Sequence, residues 1–503
     1  MKTRLRGGSS LSAFMWGGFS GLGFAPWHLT PCLLLSFAWL YGHLCTTPHR
    51  FRRGWCFGFG QALACLYWLY EPLTLHWPRF CALIPAAMLL LPGYIALYAG
   101  LAAHLQRHFS PWGLGPLLFA SQWVILEWVL GHLLTGFPWT LAGYTWNTPL
   151  AILQIAAYGG IYGLSFFTVL LSALMGEAFL ARRKLPALAA GLLSLVGYAG
   201  GEWRLHTVSC LVSAPPPMLR LVQGNIPQEV KWRRDLKEQH LETYLRLSFP
   251  DEKTPPQIVL WPEAALPFLF DEQSGLASFL GGFLGPSQIL ITGAMRKEGK
   301  EARNSLIAIN ASGKVLALYD KHHLLPFGEY VPCAHLLPIQ RVAQEFGLAD
   351  TSPGEPDPLW TLPDLPPLLP SICYEIIFPH DLRFKERRGA WMLNVSNDAW
   401  FGHSSEPHHH AHIGRFRAIE AGVPLVHVTN TGKTGIYSAF GEEVAAFPLF
   451  TRRVQDHPLP GCTQHPTFFS YLGSFPLIAL LGLMSIGLHC LFWKRSKAQK
   501  IQP

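Results

Sequence analysis

The first 205 residues hold only four acidic side chains, Glu71, Glu127, Glu177 and Glu202, and no aspartate, while apolar runs follow one another through the same stretch. The exposed face of a soluble domain normally carries many ionised groups, so charge this scarce points to a membrane as the folding environment. Apolar segments run at about 8–24, 31–45, 54–70, 81–105, 112–129, 159–181 and 185–200, with an eighth at 471–493. Several are shorter than the ~20 residues an upright helix needs. The first follows Lys2, Arg4 and Arg6 as a signal peptide would, yet glycines interrupt it, it lacks a small-x-small cleavage site, and it leads straight into further apolar sequence. It therefore reads as a retained span.

Charge between the segments gives an independent check. Arg50, Arg52 and Arg53, then Arg107, then Arg182, Arg183 and Lys184 fall in alternate loops, Arg79 stands alone in the others, and Lys494, Arg495, Lys497 and Lys500 follow the last span. Read with the positive-inside rule, this predicts eight spans, both termini cytoplasmic, and the chain outside by Trp203. The rings of the fifth loop, Phe137, Trp139, Tyr144 and Trp146, suit either an interfacial belt or a mouth for a lipid chain.

From Met218 the pattern changes to short strands separated by amphipathic stretches. Strands are expected at 219–222, 257–261, 289–292, 305–309, 315–319, 391–395, 425–428 and 435–440, and on the apolar approach to residue 373. Helices are expected at 230–247, with Leu236, Leu241 and Leu245 inward, at 275–282 and at 407–421. This alternation predicts a layered α/β sandwich. The organisation that follows is a membrane domain over 1–205, a linker over 206–217, a second domain over 218–458, a linker over 459–470, the eighth span and a basic tail over 494–503.

Three of these strands end at reactive side chains. Cys373 follows one, Glu263 another and Lys321 a third. A carboxylate can take the thiol proton, and a lysine beside the sulfur favours thiolate and offsets charge on a tetrahedral intermediate. Taken singly, each also has a plainer role, the thiol as a small buried hydrophobe and the two charges as solvated surface groups.

The order of the motifs is more specific. Trp261-Pro262-Glu263, the run Tyr319 to Glu329, Ile372-Cys373-Tyr374-Glu375 and the run Asn394 to Gly402 together resemble the signatures of the nitrilase (carbon-nitrogen hydrolase) superfamily, and within it most closely the membrane-embedded apolipoprotein N-acyltransferases of bacteria. The resemblance implies a polytopic α-helical membrane domain of eight spans joined to a nitrilase-like αββα sandwich. It implies Cys373 as nucleophile, Glu263 as general base, Lys321 as the oxyanion-stabilising cation, and the N–H of Tyr374 as a second oxyanion donor. Glu329 becomes an additional acid that orients Lys321 or the amine. Tyr374 and Glu375 either serve the nucleophile or act as a packing ring and a structural salt bridge, and Trp232 either lines the substrate region or packs in the core of the charged helix. The run Asn394 to Gly402 reads as architectural, with Asn397 and Asp398 shaping a turn.

The implied reaction moves an acyl chain from a phospholipid through a cysteine thioester to the amino group of a diacylglyceryl-modified apolipoprotein. The setting is the inner membrane, with the catalytic domain periplasmic. No cofactor, metal or nucleic acid is implied, and a monomer is expected. The histidines His403, His408, His409, His410 and His412 offer metal donors, but the tract lies between a family motif and a helix and departs from the more varied residues expected there. Ten scattered cysteines without a CxxC argue against a disulfide framework or zinc site. Two other functions use the same features: a membrane-tethered amidase, which would release ammonia, and a transporter or scaffold with a binding domain.

Overall fold

The structure is a computed structural model that describes residues 9–75, 78, 80–106, 114–181, 184–213, 215–250, 256–273, 275–299, 301–332, 351–356, 359–380 and 389–501. Lys2, Arg4, Arg6, Gly8, Arg79, Arg107, Trp112, Arg182 and Arg183, which entered the reading of the spans and their loops, lie outside the described residues. Two compact units emerge: Met1–Val208 with His403–His412 and Thr467–Pro503, and Ser209–Gly402 with Ile413–Pro466.

The first unit is helical. It contains α1 (Ser10–Ser20), α2 (Thr30–Leu44), α3 (Arg50–Cys65), α4 (Ile84–Leu105), α5 (Gly115–Leu130), α6 (Ala156–Ala181), α7 (Lys184–Thr207) and the C-terminal helix Phe475–Ile501. A helix thus occupies each expected apolar segment, but their lengths differ. Among the described residues three helices, Cys81–Leu105, Ala156–Phe179 and Lys184–Thr207, are long and apolar enough to cross a membrane. Gly115–Leu130 and Phe475–Leu491 are shorter apolar helices, and α1 to α3 have 11, 15 and 16 residues. Small residues bring α1 and α3 together: a Cβ on Gly17 would stand 1.9 Å from the Phe57 carbonyl oxygen, and one on Gly60 would stand 2.1 Å from that of Phe14. Helices that cannot gain from expelling water associate through this kind of backbone approach. The buried Glu127 of α5 accepts from Trp123 Nε1 at 3.1 Å and from the Ala142 amide at 2.8 Å, and so ties the loop after α5 to the helix.

The second unit contains β1 (Cys210–Leu211), β2 (Met218–Gln223), α8 (Lys237–Ser248), β3 (Ile258–Leu260), α9 (Leu276–Gly281), β4 (Ile289–Glu298), β5 (Glu301–Asn310), β6 (Val315–Asp320), β7 (Leu368–Ile372), β8 (Trp391–Ser396), the part of α10 (Glu406–Ala421) that follows His412, β9 (Leu425–Thr429), β10 (Gly435–Tyr437), β11 (Glu443–Ala446), β12 (Arg453–Pro458) and β13 (Cys462–Thr463), the earlier part of α10 belonging to the first unit. They form a six-stranded sheet, β12-β2-β3-β4-β5-β6, and a five-stranded sheet, β11-β10-β9-β8-β7; β1 and β13 make a small pair. Leu221, Leu260, Ile291 and Leu306 of the first sheet share one core with Ile372, Leu393 and Val428 of the second. On the outer face of the six-stranded sheet, Val259, Trp261, Leu290 and Ile307 pack with Leu241 and Tyr244 of α8 and with Ala277 and Leu280 of α9. On the other sheet, Gly414 of α10 lies close against Leu425. Strands covered on both faces read as unbroken apolar runs, as Ile258–Leu260 does. Pro370 fits in β7 because that strand is the edge of its sheet, where a missing N–H costs nothing.

Three expectations need correction. The helix expected over 230–247 begins only at Lys237; residues 228–232 are turns and Arg234–Leu236 a single 3-10 turn. The tertiary bond from Lys231 Nζ to the Glu263 carbonyl, 3.2 Å, holds the preceding stretch out of the helix. Trp232 is therefore a turn residue, 42% exposed, and not a core residue of that helix. The histidine tract does not all lie before a helix: His403 does, but His408, His409, His410 and His412 stand within the first half of α10, where His409 Nε2 donates to the Ala25 carbonyl at 2.6 Å while its Nδ1 accepts from Trp139 Nε1 at 3.0 Å.

Candidate active site

Three strand ends build the site. β3 pairs in parallel with β4 and ends opposite Ile291 while β4 runs on to Glu298, and Pro262-Glu263-Ala264 turns beside that continuation with Ala264 at φ +47°. The Pro262 carbonyl accepts from the Gly293 amide at 3.2 Å. A Cβ on Gly293 would stand 2.5 Å from Ala264 N and 2.6 Å from Glu263 Cα, so only glycine lets β4 support this turn. β6 ends at Asp320, whose carboxylate accepts from Ser305 Oγ at 2.6 Å and pairs with the Arg296 guanidinium. The next residue is Lys321, its amide donating to the Asn304 carbonyl at 2.8 Å. β7 ends at Ile372, and Cys373 follows with φ +52°. A left-handed non-glycine residue is strained, and here the surroundings hold it: the Cys373 carbonyl accepts from Asn394 Nδ2 at 3.2 Å.

The polar groups converge. Lys321, 2% exposed, places Nζ 2.9 Å from Glu329 Oε2 and 4.0 Å from Glu263 Oε1. Asn304 bridges the same two carboxylates, donating to Glu263 at 2.7 Å and reaching Glu329 at 3.2 Å. The second oxygen of Glu263 accepts from the Asn397 amide at 2.8 Å, and that of Glu329 from the Leu325 amide at 2.7 Å. Burial works against the Lys321 ammonium, but Glu329, the Cys373 sulfur and Glu263 outweigh it and hold its pKa above the ordinary lysine range. The Cys373 thiol is pushed well up, first by burial and then by the Glu263 charge, with Lys321 and the Ser396 hydroxyl pulling the other way. The sulfur therefore rests as a thiol and would have to lose its proton to a neighbour to act as a nucleophile.

Among the described residues Glu375 forms no salt bridge of the kind considered for it. Oε1 accepts from Tyr319 Oη at 2.7 Å, the His322 amide at 2.7 Å and the His323 amide at 3.0 Å, and Oε2 accepts from the Ile372 amide at 2.6 Å. One carboxylate thus joins the backbone before Cys373 to that after Lys321. Burial raises its pKa, and these donors and the nearby Lys321 oppose the rise. Tyr374 packs edge-on against Phe378, ring centroids 5.0 Å apart. Asn397 caps the 3-10 turn Asp398–Phe401 and donates through Nδ2 to Gln228 Oε1 at 2.8 Å.

The structure thus brings Glu263, Lys321, Glu329 and Cys373 into one cluster, the first two buried and Glu329 and Cys373 half-buried, sets Tyr374 and Glu375 beside the thiol as packing and scaffold, and leaves Trp232 on the adjoining turn. Asn304, Lys231 and Ser396 were not singled out from sequence. Asn304 is a buried amide in β5 flanked by Arg303 and Ser305, so its neighbours in the sequence gave no sign that it is buried.

Residues 16–174 match the family model for the apolipoprotein N-acyltransferase N-terminal domain, and residues 219–456 match that for carbon-nitrogen hydrolase. An apolipoprotein N-acyltransferase of Rhodopseudomonas palustris is 35% identical, covering 94% of this chain and 93% of its own. The chain belongs to the apolipoprotein N-acyltransferase family. A second member, from Bradyrhizobium diazoefficiens, is 33% identical over 94% of this chain and 93% of its own, and one from Rhizobium rhizogenes is 32% identical over 94% and 96%. A solved CN-hydrolase superfamily protein from Xanthomonas campestris is 16% identical, with a TM-score of 0.37, over 48% of this chain and 90% of its own. Family membership makes the chain an acyltransferase of the carbon-nitrogen hydrolase superfamily.

Proposed function

We propose that the transfer proceeds in two steps through a thioester on Cys373. In the first, the S–H proton passes to the Glu263 carboxylate as sulfur bonds to an ester carbonyl carbon of a phospholipid, and Lys321 with the Tyr374 amide offsets the oxyanion. The intermediate collapses, the lysophospholipid oxygen takes the proton from Glu263, and the acyl group stays on sulfur. In the second, the amino group of a diacylglyceryl-modified N-terminal cysteine attacks the thioester while Glu263 accepts its proton and returns it to the departing sulfur. Glu329 orients Lys321, Glu375 holds the nucleophile's backbone and Trp232 meets the acyl chain.

The observation that carries this reading is the meeting of a protonated thiol, a carboxylate and an ammonium in one cluster at the ends of β7, β3 and β6. Both substrates are lipid-anchored, which gives the helical unit its purpose. We read 1–205 as seven spans and 471–493 as the eighth, 206–217 and 459–470 as linkers around a catalytic domain over 218–458, and the chain as a monomer in the inner membrane with that domain periplasmic. Mass spectrometry of the purified full chain given phospholipid should show one acyl chain added at Cys373, and Cys373→Ser should abolish both adduct and transfer. An unmodified Cys373 in a preparation that still acylates lipoprotein would remove the thioester from the scheme.

A further inference from the structure

Lys231 lies in the turn between β2 and α8, 3% exposed, and its Nζ donates to the backbone carbonyl of Glu263 at 3.2 Å. Among the described residues its ammonium forms no ion pair; besides that carbonyl it has the face of Trp232, 6.0 Å from Nζ. A buried ammonium without a carboxylate partner is costly, and an apolar side chain would fill the volume more cheaply. Burial lowers its pKa to about 8, and the two groups that resist the fall are Glu263 and Cys373, the base and the nucleophile.

Charge balance gives the lysine a purpose. Lys321 stands closer to Glu329 than to Glu263, 2.9 against 4.0 Å, so its charge is largely shared with Glu329. As sulfur attacks, the proton moves from Cys373 to the Glu263 carboxylate, the S–C bond forms, and the carbonyl π pair moves onto oxygen. Glu263, Glu329 and Lys321 together carry one net negative charge before this step; Glu329, Lys321 and the oxyanion carry one after it. We propose that Lys231 is the second cation of the reaction centre, a positioning residue that acts through Glu263 and brings the reacting cluster to neutrality. It holds the carbonyl of the strained turn that aims the base.

This inference rests on the thioester reading above. Its test is the rate of adduct formation on Cys373 in the full-length protein supplied with phospholipid, followed by intact mass, for the wild type and for Lys231→Gln, Lys231→Met and Lys231→Arg. Glutamine keeps an N–H for the Glu263 carbonyl but not the charge, so the proposal expects Lys231→Gln and Lys231→Met to acylate at least ~10-fold more slowly and Lys231→Arg to stay within about threefold of wild type. A Lys231→Gln rate equal to wild type overturns it, as does a Lys231→Arg protein no faster than Lys231→Gln. If the methionine variant does not fold, the glutamine and arginine pair decides. A wild-type protein that forms no adduct defeats the thioester reading itself, whereas a normal wild-type adduct with an unaffected Lys231→Gln defeats the role of Lys231 alone.

Discussion

The resting thiol of Cys373 and the ion-paired ammonium of Lys321 come from the same cause, charges gathered where little water reaches them. In water a lysine 4.0 Å from one carboxylate and 2.9 Å from another would add little stability; buried, each charge governs the protonation of the next. Glu375 shows how the cluster is held. Its four accepted hydrogen bonds leave no oxygen able to become a donor without conflict, so Glu375→Gln turns an N–H2 towards an existing N–H or O–H donor. The full chain should lose about 2–4 kcal/mol in denaturant unfolding, and acyl transfer should fall with it. Unchanged stability would make those bonds dispensable. At this scale the candidate reactive residues could be named because their motifs stand in a family order. Asn304 and Lys231 were not, because a buried amide or ammonium is told from an exposed one only by what surrounds it.

The elements place the chemistry through their ends. β3, β6 and β7 each stop one to three residues before a site residue, and the stops are enforced by neighbours: β4 under Glu263, Ser305 and Arg296 at Asp320, and Asn394 at Cys373. Gly293→Ala tests the first of these. The added methyl must push the Glu263 turn away from β4, and a displacement near 1 Å should lower acyl transfer by about 100-fold while Cys373 stays reactive towards a small thiol reagent. Transfer within twofold of wild type would show that the turn tolerates the shift. The inner strands were legible as short apolar runs, whereas β11 and β12 were not foreseen: Arg453, Gln455, Asp456 and His457 give β12 the composition of a loop, and pairing with β2 makes it a strand. The stretch at 230–236 failed the other way. Its composition suits a helix, and the long-range bond of Lys231 overrides that preference.

For the whole molecule, eight spans with a periplasmic catalytic domain predict that a tag after Pro503 is reached only from the cytoplasmic side. In spheroplasts with sealed inner membranes, an added protease should leave that tag intact while cleaving within 218–458, and a tag digested from outside would reverse the proposed orientation. Hydropathy alone does not give this orientation, since α1, α2 and α3, at 11, 15 and 16 residues, fall short of a bilayer's thickness and, among the described residues, three helices meet the full length and apolarity of a span. From its own order of residues the chain declared a helical, acid-poor half and a strand-rich half, and within the latter the candidates for nucleophile, base and cation, because composition and motif order are local properties that survive without coordinates. Tertiary structure alone decided that Glu375 is a scaffold, that Asn304 bridges two acids, that Cys373 rests protonated, and that a second lysine lies under the base. Each of these depends on burial and on distances between residues far apart in the chain, and the field at a buried charge is set by its neighbours in space.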